Sequence, residues 1–202
     1  MSTKPTFHTH TALVNGLRML LRQLEERLSL RSPLDVYLAG GFAVHLYTAG
    51  RVTTDVDAEF GQRVHLPQDL MVEVTLEDGS EQVIYFDTNY NPTFALMHEN
   101  YLEDSIMVDL GMDQIHVRVL SPVDLAVSKI ARFDENDKED IAALVWIGLT
   151  SADEIEKRAT SALVGYVGGE TSLRLNLRAA VMLARQVEAD RSSQLPLPHV
   201  KK

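Results

Sequence analysis

Two glycines and two aspartates set the chemistry. Gly40 and Gly41 end an apolar run, and Asp55 and Asp57 follow with one residue between them. Glycine lets an anion approach the backbone closely, and a helix that begins at such a turn offers N–H groups and a positive dipole end to phosphate. Side chains on a strand alternate with period two, so Asp55 and Asp57 are expected on one face. Paired carboxylates suit Mg2+ or Mn2+, which take oxygen ligands and share them with substrate phosphates. The order of the parts is apolar strand, Gly-Gly, helix, then Asp-x-Asp on the next strand. That order points to a metal–nucleotide site more than to a turn and an acidic patch arising separately.

The elements that must position these groups are legible as periodicities. Residues 11–28 carry leucines and arginines at helical spacing and read as an amphipathic helix. Residues 36–40 read as a short buried strand, 42–50 as a helix closed by Gly50 at its C-cap, and 53–60 as one alternating strand. Two alternating runs within 70–88 flank Asp78-Gly79, the signal of a hairpin with a tight turn. Residues 91–104 read as a short helix or ordered loop, and 105–110 with 114–121 as two more strands. From Ser121 the pattern turns helical: Ser121, Pro122 and Asp124 form a helix start. Four helices are expected, over 122–133, 138–149, 151–167 and 171–190, the third opened by Ser151 and Glu154 at capping-box spacing. The tail 192–202 reads as disordered. The expected fold is α/β (α+β), a mixed β-sheet core flanked by helices over residues 1–120, with an α-helical C-terminal part over 121–202.

Composition narrows the function. The net charge is −10, and residues 53–140 hold 20 acidic against 5 basic side chains while the flanks sum to +5. That balance argues against a general DNA-coating protein and fits a divalent-cation site with basic groups nearby. There is no cysteine, so disulfides and thiolate metal sites are excluded. No run approaches the roughly 20 apolar residues of a membrane span, and residues 1–11 lack an apolar signal core. A cytoplasmic protein without membrane contact is expected.

Gly40-Gly41, thirteen intervening residues and Asp55-Val56-Asp57 together resemble the signature of the polymerase-β-like nucleotidyltransferase superfamily. The resemblance implies a metal-dependent enzyme that moves a nucleoside monophosphate from a nucleoside triphosphate to a hydroxyl acceptor: RNA, protein or a small molecule. It implies that the glycines hold the triphosphate, that Asp55 and Asp57 bind Mg2+ or Mn2+, and that a carboxylate on a neighbouring strand completes the set. Asp87, ending the run from Val83, is the first choice for that carboxylate, and Asp109 is the competitor. The superfamily often has serine where Gly41 stands.

A second resemblance lies in residues 121–144, which look like a stretch of AbiEii-type toxins and related small bacterial nucleotidyltransferases. There a Lys-x-x-Arg helix precedes a basic and acidic cluster. Lys129 and Arg132 match the first part; three residues apart, they share a helix face and would neutralise triphosphate charge. Lys138 and Asp140 match the second, with lysine where that group commonly has arginine. Residues 51–57 resemble its Arg-x-Thr-x-Asp-x-Asp form, which brings Arg51 and Thr54 into the nucleotide-binding set, although Arg51 also suits pairing with surface acids. An antitoxin partner is implied.

A non-catalytic nucleotide- or partner-binding member of the same fold is the alternative, and such a member has no need of both aspartates. A third reading is an interaction protein working through residues 121–202. His8 and His10 have a metal-ligand spacing but sit in a leader without acidic partners. His45 lies one turn beyond the glycines, near a nucleotide or simply packed. Trp146 reads as a core residue. Arg174, Arg178 and Arg185 share one side of the last helix, either as a solvated face or as a guide for RNA or polyphosphate.

Overall fold

A computed structural model describes residues 5–194. The tail expected to be disordered lies outside them from residue 195, and residues 192–194 belong to the last helix. Within the described residues the chain divides into two compact units, one of residues up to 92 with 99–121, the other of residues 93–98 with the chain from 122.

The first unit runs α1 (Ala12–Arg27), β1 (Leu34–Leu38), α2 (Gly40–Thr48), β2 (Asp55–Val56), β3 (Ala58–Phe60), β4 (Met71–Thr75), β5 (Glu81–Phe86), β6 (Ile106–Met107) and β7 (Ile115–Val119). Its strands form two mixed sheets. In the order β3-β1-β7-β6, β1 and β7 are parallel and the outer strands antiparallel to their neighbours. In the order β2-β5-β4, β2 and β5 are parallel and β4 is antiparallel. Thr11 caps α1, its Oγ1 accepting from the Val14 N–H. The helix buries Leu13, Leu17, Leu20, Leu21 and Leu24 and packs on β4 and β5. Each such leucine contributes roughly 1.5–3 kcal/mol.

Two local expectations are corrected. Residues 53–60 are not one strand: the chain changes sheets at Asp57, where β2 pairs with β5, β3 pairs with β1, and Asp57 O accepts from the Ala39 N–H at 2.9 Å. α2 closes at Thr48 with Ala49 in the left-handed conformation, φ 56°, instead of with Gly50. Thr48 Oγ1 donates to Val44 O and accepts from the Gly50 N–H, which ties off the turn one residue early. The β4–β5 hairpin does close in the expected tight turn at Asp78-Gly79: the Leu76 N–H donates to Ser80 O, the Gly79 N–H donates to Leu76 O with Gly79 at φ 83°, and Asp78 Oδ1 accepts from both N–H and Oγ–H of Ser80.

The second unit holds α3 (Pro122–Ser128), α4 (Glu135–Trp146), α5 (Ala152–Ala162) and α6 (Glu170–Gln194). Asp134 and Asp137 form a capping box on α4, and Ser151 caps α5. Side chains from α6 satisfy carbonyls where helices end: Asn176 Nδ2 donates to Ile130 O and Ala131 O, and Arg191 Nη1 to Val145 O. Arg158 on α5 donates to both oxygens of buried Asp124 on α3, at 2.6 and 2.7 Å. α3 stops at Ser128, whose Oγ turns back to Leu125 O, so the helix expected to 133 is shorter. Trp146 is 41% exposed, because α4 buries the stripe of Ile141, Leu144 and Val145 and this last residue falls beside it. It is not a core residue.

Candidate functional site

β2 and β5 lie in register with Asp55 opposite Tyr85 and Val56 opposite Phe86. Val56 and Phe86 point into the core, so the alternation turns Asp55, Asp57 and Asp87 to the other face. There the three carboxylates converge. One ligand oxygen from each lies within 4.8 Å of the others, and all three residues are half-buried. Asp109 is exposed, accepts from the Gly111 N–H and is outside this group, as are His8 and His10.

Neighbouring groups hold the carboxylates in place. Thr53 Oγ1 donates to Asp55 Oδ1 at 2.5 Å, and the Asn89 N–H donates to Asp87 Oδ1 at 2.8 Å. Hydrogen bonds of this kind orient ligands before an ion arrives. Three carboxylates are an oxygen donor set, which fits a hard divalent ion such as Mg2+ or Mn2+. Without an ion the three negative charges repel one another.

The glycines open the helix onto this cluster. Gly40 has φ 57°, and a Cβ there would fall 1.8 Å from Asp57 Oδ2. A Cβ at Gly41 would lie 3.0 Å from Thr53 Oγ1. The start of α2 is therefore flush against a carboxylate and a hydroxyl of the site. Ala39, the N-cap, brings no side-chain hydrogen bond, and the first-turn N–H groups of a helix have no partner within it.

Four residues outside the sequence-derived set are linked to the cluster, Thr53 by its bond to Asp55, Tyr90 through the charge of Asp57, and Glu59 and Tyr101 through their proximity to Tyr90. Thr53 is one; it stands at the threonine of the Arg-x-Thr-x-Asp-x-Asp pattern, which was the available signal. Glu59 continues the alternation of Asp55 and Asp57. Burial raises its carboxyl above the ordinary range, moderated by the Tyr101 hydroxyl, which lies 2.7 and 2.8 Å from its two oxygens. Tyr90 has a buried hydroxyl with no hydrogen-bond partner among the described residues. Its burial, and then the Glu59 and Asp57 charges, push the phenol pKa up. Neither tyrosine carries a sequence pattern.

The remaining candidates have definite places. His45 is buried. Its Nδ1–H donates to Arg51 O at 2.5 Å and its Nε2 accepts from Thr11 Oγ1 at 2.8 Å. Burial lowers its pKa, partly offset by the Arg51 bond. It ties the loop of Arg51 to the start of α1. Thr54 O accepts from the Tyr85 N–H at 3.1 Å. In the second unit, buried Lys129 donates to Asp140 at 2.6 Å and lies 3.6 Å from Asp137. Arg132 donates two 2.8 Å hydrogen bonds to Asp137, and its Nε lies 3.0 Å from Asp134 Oδ2 as an ion pair. Lys129 and Arg132 lie past the end of α3, so they do not share one helix face; both turn to carboxylates of α4 and its cap. Burial alone would raise the Asp137 carboxyl, but the Arg132 bonds and the Lys129 and Arg132 charges outweigh it and hold it below the usual range. Lys138 pairs with Glu135, Arg174 with Glu170, and Arg185 with Glu156 and Asp153. Among the described residues no helix is long and apolar enough to cross a membrane.

No curated protein matches the chain. A family model described as "Nucleotidyltransferase of unknown function (DUF6036)" matches residues 15–179.

Proposed function

The chain belongs to this nucleotidyltransferase family, and we propose that its first unit transfers a nucleoside monophosphate from a nucleoside triphosphate to a hydroxyl. The observation that carries the reading is the convergence of Asp55, Asp57 and Asp87 beside the start of α2. These carboxylates would hold Mg2+ or Mn2+. The ion, when bound, supplies charge neutralisation at the phosphates and acidity for the attacking hydroxyl. The first-turn N–H groups at Gly40 and Gly41 bind phosphate oxygens with the helix dipole behind them. Thr53 keeps Asp55 in its ligating rotamer, and the Asn89 N–H does the same for Asp87. The acceptor oxygen bonds to the α-phosphorus as the bond to the bridging oxygen breaks. Pyrophosphate leaves with the electron pair, and the hydroxyl proton passes through the carboxylate cluster to solvent.

Arg51, Thr54, Lys129, Arg132, Lys138 and Asp140 join the nucleotide-binding set by resemblance. Lys129 and Arg132 hold Asp140 and Asp137, so their use on phosphate means exchanging a carboxylate partner for a phosphate one. Kinship with AbiEii-type toxins, and with it an antitoxin partner, belongs to the same reading, supported by the resemblance of residues 51–57 and 129–140. The test is label transfer from each α-labelled nucleoside triphosphate into total RNA and protein, with Mg2+ and with chelator. Transfer with one triphosphate that stops in chelator supports the reading. Transfer that is indifferent to chelator, or absent with all four, contradicts it.

A further inference from the structure

The sheet that carries the carboxylates has an exposed face that continues past them. In order outward from Asp57 and Asp87, cross-strand partners place Asp55 with Tyr85 and Met71, then Val83 with Glu73, then Glu81 with Thr75. Val72, Val74 and Ile84 point the other way, into the core beside α1. Met71 is 51% exposed, Tyr85 44% and Val83 39%. Asp87 lies six positions after Glu81, so the strip is about 20 Å long at strand rise. It has an apolar centre of Met71, Tyr85 and Val83, with Glu73 beside Val83, Glu81 beyond it and the candidate metal site at one end.

The charge of this strip selects its occupant. β2, β4 and β5 contain no lysine or arginine, and none occurs anywhere from 64 to 117, a stretch with 11 acidic residues. A nucleic-acid acceptor brings one negative charge per phosphate and is held mainly by lysine and arginine contacts. The strip offers it none. A chain with cationic and apolar side chains meets Glu73 and Glu81 with opposite charge and Met71, Val83 and Tyr85 with apolar surface. β4 is also the edge of its sheet, so an extended segment laid along it finds backbone N–H and C=O groups as well as side chains.

We propose that this strip is the acceptor site and that it takes a basic, apolar polypeptide segment in extended form, presenting a hydroxyl side chain to Asp55, Asp57 and Asp87. The proposal rests on the nucleotidyl-transfer reading for its chemistry. The serine, threonine or tyrosine oxygen bonds to the α-phosphorus, the bond to the bridging oxygen breaks, pyrophosphate leaves and the hydroxyl proton is released.

The test is direct binding to the full chain in Mg2+, read by fluorescence anisotropy. The probes are a fluorescein-labelled peptide of repeating Lys-Leu-Ser and a fluorescein-labelled single-stranded RNA of mixed sequence. The peptide should bind, and more weakly as salt rises. The double charge reversal Glu73→Lys with Glu81→Lys should weaken it by at least about tenfold, and Glu73→Gln with Glu81→Gln by less. The neutral pair keeps the test alive if the reversal fails to fold. RNA bound as tightly as the peptide, a peptide that does not bind, or peptide binding that ignores both double variants overturns the proposal. Stabilisation of the wild type by Mg2+ with nucleoside triphosphate is measured in parallel. Its presence alongside a failed peptide result condemns the acceptor assignment alone; its absence condemns the nucleotidyl-transfer reading.

Discussion

Acidic side chains meet different treatment in the two units. In the second, each buried aspartate is matched by a cation: Asp124 by Arg158, Asp137 by Arg132 and Lys129, Asp140 by Lys129. In the first, Asp55, Asp57 and Asp87 are aimed at one another, and the groups that orient Asp55 and Asp87 are a hydroxyl and a backbone N–H. The first pattern neutralises charge within the fold and holds helices together. The second concentrates carboxylate charge at a helix start opened by two glycines, an arrangement that a divalent cation from solution would stabilise. Burial and pairing therefore mark structural acids here, and mutual convergence marks the candidate functional ones.

The largest effect expected from this contrast is in the second unit. Arg158→Ala leaves Asp124 buried without its cation and should cost about 3–5 kcal/mol in urea unfolding. A loss below about 1 kcal/mol, the range of exposed pairs, would erase the distinction. Next comes Gly40→Ala, which places a Cβ in left-handed backbone at about 1–2 kcal/mol. It should also displace the Asp57 carboxylate, so a melt should show both lower stability and a lost response to Mg2+ with nucleotide. Thr53→Val should change stability by no more than about 1 kcal/mol, the net worth of one hydrogen bond. It should weaken metal affinity by about ten- to a hundredfold, as for other partners that orient ligands, which calorimetry with Mn2+ reads directly.

The smallest effects are in the pH dependence. His45 has a folded pKa below its unfolded value of about 6.5, so the unfolded chain binds more protons below that pH. Stability should fall as pH drops through that region, by at most about 1.4 kcal/mol per pH unit. In His45→Asn the slope should flatten in melts between pH 7.5 and 5. Asp137, held low by Arg132 and Lys129, contributes stability that is present above about pH 4 and lost as pH falls through its folded value. Asp137→Asn should remove that acid-side loss while lowering stability at neutral pH.

Much of this was legible because it is local. The glycines, the spacing to Asp55 and Asp57, and a carboxylate ending an apolar strand are all encoded within short windows, and alternation alone puts two aspartates on one face. The change of sheet at Asp57 was not legible, since residues 53–60 alternate without interruption and only β1 and β5 decide which part each strand claims. The partners of Lys129 and Arg132 were hidden for a related reason. Their spacing suggests a shared helix face, yet α3 ends at Ser128 and the capping aspartates of α4 draw both cations in. Thr53 is within reach of the Arg-x-Thr-x-Asp-x-Asp pattern, since it stands one position before Thr54 and two before Asp55. Glu59, Tyr90 and Tyr101 depend on tertiary contact between β3 and loops without periodicity.

The most direct measurement is the melting temperature of the wild type and of Asp57→Asn, each in chelator and each with Mg2+ plus nucleoside triphosphate. Asp57→Asn lessens the repulsion among the carboxylates and should remain folded in chelator. Ligand at a hundredfold excess over its Kd should then stabilise the wild type by about 2.7 kcal/mol and leave Asp57→Asn unmoved. A variant that unfolds in chelator, or that responds to Mg2+ with nucleotide as the wild type does, contradicts the assignment of Asp55, Asp57 and Asp87 as a metal–nucleotide site.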